Sequence, residues 1–258
     1  MPELPDLNHF ASNLNKLVAG KTVEYVEVLN TSKLKVPKEA LKKGLEKQQL
    51  TEVERVGKEL HFKFSNGNVL GLHLMLNGKL YYFDGKSNQK YKIIELLFGD
   101  ETGLVLADFQ GMANATLNPE EKDAPDALSA TINYKFLKET LQSRASIKNL
   151  LLDQHVIRGI GNAYADEILW DAKISPFSIA NKIPDDKIKA LVRSIKEVLV
   201  DAEKQIKKSH SDIIAGEIRD FLKIHNAKKK ESPTGSPIYN KVVSSRKTYY
   251  TDEQELYK

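Results

Sequence analysis

The hydrophobic period of this chain switches from helical to alternating at Gly20 and back to helical beyond residue 131, and this double switch constrains the fold more than any other feature. Leu7, Phe10, Leu14, Leu17 and Val18 recur at helical spacing with Gly20 behind them, which predicts an amphipathic helix over 5–19. The segments TVEYVEV, QLTEVERV, ELHFKFSNG, NVLGLHLML, GKLYYF, KYKIIELLF and GLVLADF follow. They are short, alternating or β-rich, and separated by Asn-Gly, Asp-Gly and Gly-Asp turns. Such regular spacing predicts a two-layer antiparallel sandwich with the first helix packed on it.

The stretch NPEEKDAPDALSAT, with two prolines and a cluster of charges, reads as a linker. Helical spacing then returns over 133–142, 145–156, 162–172, 184–208 and 214–222. PIYNKVVSSRKTYY predicts a closing hairpin around Ser244-Ser245. The class is therefore α+β, without internal repeat. The expected domains are 1–118 (β-sandwich), 119–131 (linker), 132–231 (helical) and 232–258 (hairpin).

The chain has 258 residues, enough for two cores, and its 41% hydrophobic and 29% charged residues fit a soluble globular protein. No apolar run approaches the length of a membrane span and no secretory leader is evident, so a cytoplasmic location is expected. With no cysteine, disulfides, thiolate metal sites and thiol nucleophiles are excluded. Six scattered histidines form no HExxH pattern, and neither metal nor cofactor is expected. Charge is uneven. Residues 132–258 carry 23 Lys and Arg against 17 Asp and Glu, while residues 1–131 carry 16 against 18. A basic second half permits a polyanionic partner, although runs such as Lys228-Lys229-Lys230 also serve as solvated surface.

Two stretches bear on chemistry. The chain opens MPELPD. Pro2 and Pro5 suit the run-in to a helix, and acidic residues suit its dipole. Equally, loss of Met1 would make Pro2 a free secondary amine. An α-amino group titrates at about 8, so part of it is unprotonated and nucleophilic at neutral pH, with Glu3 and Asp6 beside it to move protons. The second stretch is DQHVIRGIGNAYADEIL. It predicts a helix ending near Ile157, tight turns at Gly159 and Gly161, and Asn162 capping the next helix. This arrangement suits phosphate binding and also suits a plain helix-turn-helix packing unit.

Together, and in this order, PELPD and DQHVIRGIGNAYADEIL resemble the formamidopyrimidine-DNA glycosylase and endonuclease VIII family of bifunctional base-excision repair enzymes. The resemblance implies an N-terminal β-sandwich, a helix-two-turn-helix domain and damaged or abasic double-stranded DNA as partner. It further implies a monomer, with no membrane association, in a bacterial cytoplasm beside the nucleoid. It makes Pro2 the nucleophile at C1′, Glu3 the main acid/base and Asp6 an assistant. The same resemblance makes Lys58 in RVGKEL both catalytic and phosphate-binding, and implies that His73 in GLHLML, Asn162 and Arg246 are further phosphate contacts. The family normally ends in a four-cysteine zinc finger. Here Thr251 and Gln254 stand at the spacing of the last two cysteines, so the hairpin carrying Arg246 resembles a zincless finger.

Three departures bear on substrate. Asp6 stands where the family usually has glutamate. The residues that fill the gap left by an extruded base are remodelled, with Leu76 first and Phe109, Gln110 or Met112 in ADFQGMAN replacing an arginine and a phenylalanine. The chain is also short between GEIRDF and KIHNAKKK, where the family carries a loop closing over 8-oxoguanine. Oxidised pyrimidines, bulky lesions or abasic sites fit that shortening better. The expected function is a glycosylase and abasic-site lyase acting through an imine with β/δ-elimination. The rival is a non-catalytic DNA-damage or DNA-structure binding protein of the same fold.

Overall fold

The computed structural model describes residues 1–31, 34 and 36–258. They form two compact units, one of residues 1–121 with 206–217 and one of 122–205 with 218–258.

The first unit is built on helix α1 (Leu4–Val18) and two four-stranded antiparallel sheets. One sheet has the order β1 (Val23–Val28), β6 (Lys92–Phe98), β7 (Thr102–Ala107), β5 (Lys79–Asp84). The other runs β2 (Leu50–Val56), β3 (Glu59–Phe64), β4 (Val69–His73), β8 (Asn114–Leu117). Alternation puts Leu60, Phe62 and Phe64 of β3 inside, where they meet Val26, Leu96 and Leu104 of the other sheet and Leu7, Phe10 and Leu14 of α1 in a single core. Asn15 clamps α1 to edge strand β2. Its Nδ2 donates to the Val53 carbonyl at 2.5 Å, and its Oδ1 accepts the Val53 N–H at 2.8 Å. An edge strand is thereby capped by a side chain.

Segment 206–217 packs with this unit through side-chain bonds to α1. Asn13 Nδ2 donates to the carbonyls of Ser211 and Ile213 at 2.8 and 2.9 Å. The expected helix over 214–222 is absent, and those residues form bends and turns. Side chains of other elements take the backbone groups around it, Asn13 before it and Glu167 after it, so no local helical ladder is needed. Helix α2 (Lys38–Leu45) and strand β8 lie outside the sequence expectations. Pro37 opens α2 and the i, i+4 pair Leu41 and Leu45 is buried.

The second unit holds α3 (Tyr134–Thr140), α4 (Ile147–Leu152), α5 (Asn162–Asp171), α6 (Asp185–Ser209) up to Gln205, and the hairpin β9 (Tyr239–Val243) and β10 (Arg246–Tyr250). Ser244 and Ser245 both take positive φ, 49° and 60°, as a two-residue hairpin turn requires. Part of the stretch read as linker is docked here. The Arg158 N–H donates to the Pro125 carbonyl at 2.9 Å, Ala127 N–H donates to the Arg158 carbonyl at 2.9 Å, and Arg158 Nε reaches the Ala124 carbonyl at 2.6 Å. Among the described residues, no helix is long and apolar enough to cross a membrane.

In the first unit, the Lys21 ammonium and the Thr102 hydroxyl hold the Asp100 carboxyl at about 2, below its ordinary 3.8. Because the folded-state value is the depressed one, this stabilisation is complete above pH about 4 and is lost as pH falls toward 2. Asp100→Asn should therefore flatten the acid limb of the stability curve between those values. Urea midpoints measured across that range would show it, and an unchanged slope would refute it.

Candidate active site and nucleic-acid interface

The first turn of α1 holds the N-terminal residues singled out from sequence. Glu3 is the N-cap residue, Pro5 lies in the first turn, and a capping box joins Glu3 to Asp6, whose Oδ2 accepts the Glu3 N–H at 2.9 Å. Both carboxylates are buried, Glu3 at 4% exposure and Asp6 at 1%. Asp6 thus holds the backbone of the residue beside Pro2, which is a positioning task. In the chain as it stands Pro2 is acylated by Met1, whose ammonium pairs with Glu217. Removal of Met1 creates the secondary amine.

Lys58 follows Gly57 in the tight turn joining β2 to β3, the strands to whose edge α1 is clamped. Arg55 at the end of β2 donates to Asn8 Oδ1 of α1 at 2.5 Å and to the Gly57 carbonyl at 3.1 Å, tying that turn to the helix. His73 ends β4, where its Nδ1 accepts the Met75 N–H at 3.1 Å. This bond shapes the turn that leaves Leu76 exposed.

Asp108 organises the second wedge segment. Its carboxylate accepts the N–H groups of Gln110, Met112 and Ala113, each at 2.9 Å, while Gly111 takes φ +61°. Phe109, 64% exposed, and Met112 project outward as a result. Asn77 Nδ2 donates to Gln110 Oε1 at 2.6 Å, bringing the Leu76 turn and the Gln110 turn together. Asp108 and Asn77 lie outside the residues singled out from sequence. The Asp-x-x-Gly order of a side-chain-bonded turn is the signal that could have marked Asp108.

In the second unit, Gln154 staples the two turns between α4 and α5. Its Nε2 donates to the carbonyls of Leu152 and Ile160, both at 2.9 Å, and its Oε1 accepts the Gly159 N–H at 2.9 Å. Gly159 stands at φ +101°. Asn162 does not cap α5. Gly161, in extended conformation, is the N-cap residue and Asn162 opens the helix, its Nδ2 donating to the Lys247 carbonyl at 2.8 Å. The Asn162 Oδ1 is buried without a hydrogen-bond partner. Asn162 and Arg246 are thereby brought side by side, the former bonded to the residue next to the latter. Arg246 also lines a cavity with Ser146, Asn149 and Phe177.

Beneath this face lies a buried network. Asp166, fully buried, forms an ion pair with Lys148 Nζ at 2.6 Å, accepts the Tyr249 N–H at 2.9 Å, and lies 2.7 Å from His225 Nδ1. The adjacent Glu167 accepts the N–H groups of Lys223, Ile224 and His225 at 2.7 to 2.8 Å. Burial pushes its carboxyl up while those bonds act against the shift. Lys148, Asp166 and Glu167 escaped the sequence reading because their role depends on partners far along the chain. Pro2, Glu3, Asp6, Lys58, His73 and the wedge residues thus form one set in the first unit, and Asn162 and Arg246 a second set in the other.

A thiolate site is excluded by composition, and among the described residues no three His, Cys, Asp or Glu side chains cluster to hold a metal ion. The zinc of a four-cysteine finger has no fitting ligands here. Thr251 and Gln254 bond each other instead, the Thr251 N–H donating to Gln254 Oε1 at 2.9 Å.

The formamidopyrimidine-DNA glycosylase N-terminal domain model matches residues 1–115, and the formamidopyrimidine-DNA glycosylase H2TH domain model matches 124–223. A formamidopyrimidine-DNA glycosylase of Mycoplasma genitalium is 31% identical over 97% of this chain and 94% of its own length. The chain belongs to the formamidopyrimidine-DNA glycosylase family. The Lactiplantibacillus plantarum member is 29% identical over 99% of this chain and its full length. Lactococcus lactis Fpg, solved with DNA containing an abasic site, superposes with a TM-score of 0.89 at 26% identity, covering 98% of this chain and 100% of the other. The α+β architecture of sandwich and helix-two-turn-helix domain expected from sequence is the architecture of this family.

Removing the Asp108 carboxylate leaves three N–H groups without their acceptor, at a cost of about 1–3 kcal/mol. Asp108→Ala should lower the thermal midpoint by several degrees, whereas Phe109→Ala, exposed on the same turn, should leave it nearly unchanged; differential scanning calorimetry of the pair reads both.

Proposed function

We propose that this chain is a DNA glycosylase with abasic-site lyase activity in base-excision repair, working through the nitrogen of Pro2. The observation that supports the mechanism is the capped first turn of α1, in which Glu3, the residue after Pro2, and Asp6 are both buried. With Met1 removed, the Pro2 nitrogen attacks C1′ of the damaged nucleoside and the glycosidic bond breaks. Glu3 protonates the sugar oxygen as the ring opens, and the Pro2 nitrogen, having given up its proton to the departing base, is left as an iminium with C1′. Loss of a C2′ proton then expels the 3′ phosphate by β-elimination, and δ-elimination expels the 5′ phosphate. Asp6 contributes through the N-cap rather than at the reacting atoms.

Lys58 and His73 in one unit, and Asn162 and Arg246 in the other, serve as phosphate contacts. They supply affinity and register rather than base identity. Leu76, Phe109, Gln110 and Met112 serve as the residues that fill the place of the extruded base, supported by the exposure of Leu76 and Phe109 and the bond joining their two turns. The substrate class proposed is oxidised pyrimidine, bulky lesion or abasic site in double-stranded DNA, bound by a monomer in the cytoplasm beside the nucleoid. The remodelled wedge and Asp6 also favour a second reading, a damage-binding protein without efficient excision.

Borohydride trapping on an abasic-site duplex separates the two, using protein whose intact mass shows loss of Met1. A reduced covalent adduct is expected for the native chain, none for protein retaining Met1, and a loss of about 100-fold or more in base excision for Glu3→Gln. Salt-sensitive binding without adduct or strand cleavage would establish the second reading instead.

A further inference from the structure

The hairpin that carries Arg246 has a charged centre that neither the catalytic reading nor the phosphate contacts use. The Glu253 carboxylate sits in the turn after β10 and collects donors from two other places in the chain and from its own turn. Its Oε2 accepts Trp170 Nε1 at 3.0 Å, Ser232 Oγ at 2.9 Å and Thr251 Oγ1 at 3.2 Å. Its Oε1 accepts Lys173 Nζ at 2.9 Å and Thr234 Oγ1 at 2.6 Å. Trp170 lies in α5 and Lys173 just past its end. Ser232 and Thr234 belong to the turn before β9, and Thr251 to the turn after β10. Against the burial that pushes it up, the bonds from Thr234, Lys173, Trp170 and Ser232 hold the carboxyl well below the ordinary carboxylate range.

The surroundings are built around the same point. Lys173 lies over the Trp170 ring at 4.3 Å from its centroid, and Trp170 packs with Ile224, Tyr249 and Ile238 in a small core of its own. Gln254 Nε2 donates to the Ile174 carbonyl at 2.9 Å, closing the turn onto the end of α5. With only ten strand residues in β9 and β10, a hairpin of this size is marginal without such support. A carboxylate is acceptor-only with about four lone-pair sites, so it can gather hydroxyl, indole and ammonium donors that have no other reason to converge.

We infer that Glu253 is the positioning residue of the hairpin, its carboxylate gathering α5, the 232–234 turn and the 251–254 turn into one metal-independent body that holds Arg246 in place for DNA phosphate. This rests on the reading of Arg246 as a phosphate contact, and the test separates the two. Trp170 is the only tryptophan in the chain, so its emission reports the hub directly.

The experiment uses the full chain and a duplex bearing a tetrahydrofuran abasic-site analogue. Native protein, Glu253→Gln, Arg246→Ala and the double variant are compared by Trp170 emission with acrylamide quenching and by Kd across a salt series. Glu253→Gln keeps the side-chain size and removes the charge. It is expected to raise quenching of Trp170, to weaken binding about tenfold and to lower the salt slope by about one phosphate contact. Arg246→Ala should match the last two effects with native Trp170 quenching, and the double variant should bind no worse than Arg246→Ala. A chelator should change neither signal in the native protein. Native quenching in Glu253→Gln would overturn the hub. Losses that add in the double variant would overturn its action through Arg246. A native salt slope in Arg246→Ala would instead refute the phosphate contact while the Trp170 signal still judges the hub. If Glu253→Gln fails to fold, Ser232→Ala with Thr234→Val keeps the charge and removes two donors. That variant should show intermediate quenching and slope, and native values for both would overturn the inference.

Discussion

The first turn of α1 is the constraint on which the chemistry of this protein depends. A nucleophile at a chain terminus has no second flanking residue to hold it, and a free terminus is ordinarily among the most mobile parts of a fold. Here the residue next to Pro2 is the N-cap of a helix with most of its length buried, and Asp6 binds its N–H. Asn15 fastens the same helix to the edge of a sheet, and Arg55 ties that edge strand back to Asn8. The residue that follows Pro2 is thereby tied to a helix that completes the core. The shortening of glutamate to Asp6 is consistent with this role, because a side chain at the third helical position needs only to reach back one turn.

The same device recurs wherever the chain leaves regular structure. Asp108 gathers three N–H groups to form the wedge turn, Glu167 gathers three to fix residues 223–225, and Gln154 staples the turns between α4 and α5. Asp166 joins α4, α5 and β10 through one carboxylate. Each group makes several hydrogen bonds at once, and each takes up backbone groups that no local ladder satisfies. The residues proposed to meet DNA sit on the segments so organised: Gln110 and Met112 on the first, Asn162 beside the last. Arg246 sits at the tip of a hairpin whose base is held in the same way.

Legibility in the sequence followed the physics of each element. The seven early β segments and the helices beginning near residues 5, 133, 145, 162 and 184 were readable because their apolar positions repeat at a period set by local geometry. β8 is four residues long with one buried side chain, too short for a period to register. The stretch around Pro125 has the composition of a linker, yet its backbone groups bond Arg158, a partner more than 30 residues away that composition does not encode. Asn162 was expected as a cap because asparagine suits that position, but Gly161 takes the extended N-cap conformation and Asn162 Nδ2 is bonded to the distant Lys247 carbonyl.

By itself the sequence determined the class of fold, the order of its parts, the absence of thiol chemistry, and the chemical identity of Pro2, Glu3, Lys58 and Arg246 as residues worth testing. These follow from side-chain type and short-range spacing, which need no knowledge of long-range contacts. Only the tertiary structure decided that Asp6 serves the N-cap, that Asn162 faces the hairpin, that Asp108 builds the wedge turn, and that a single carboxylate at Glu253 collects donors from positions 170 to 251. The reason is the same for all four. Where a polar side chain sends its hydrogen bond depends on which backbone and side-chain groups the packed core delivers to it, and that delivery is a property of the whole chain.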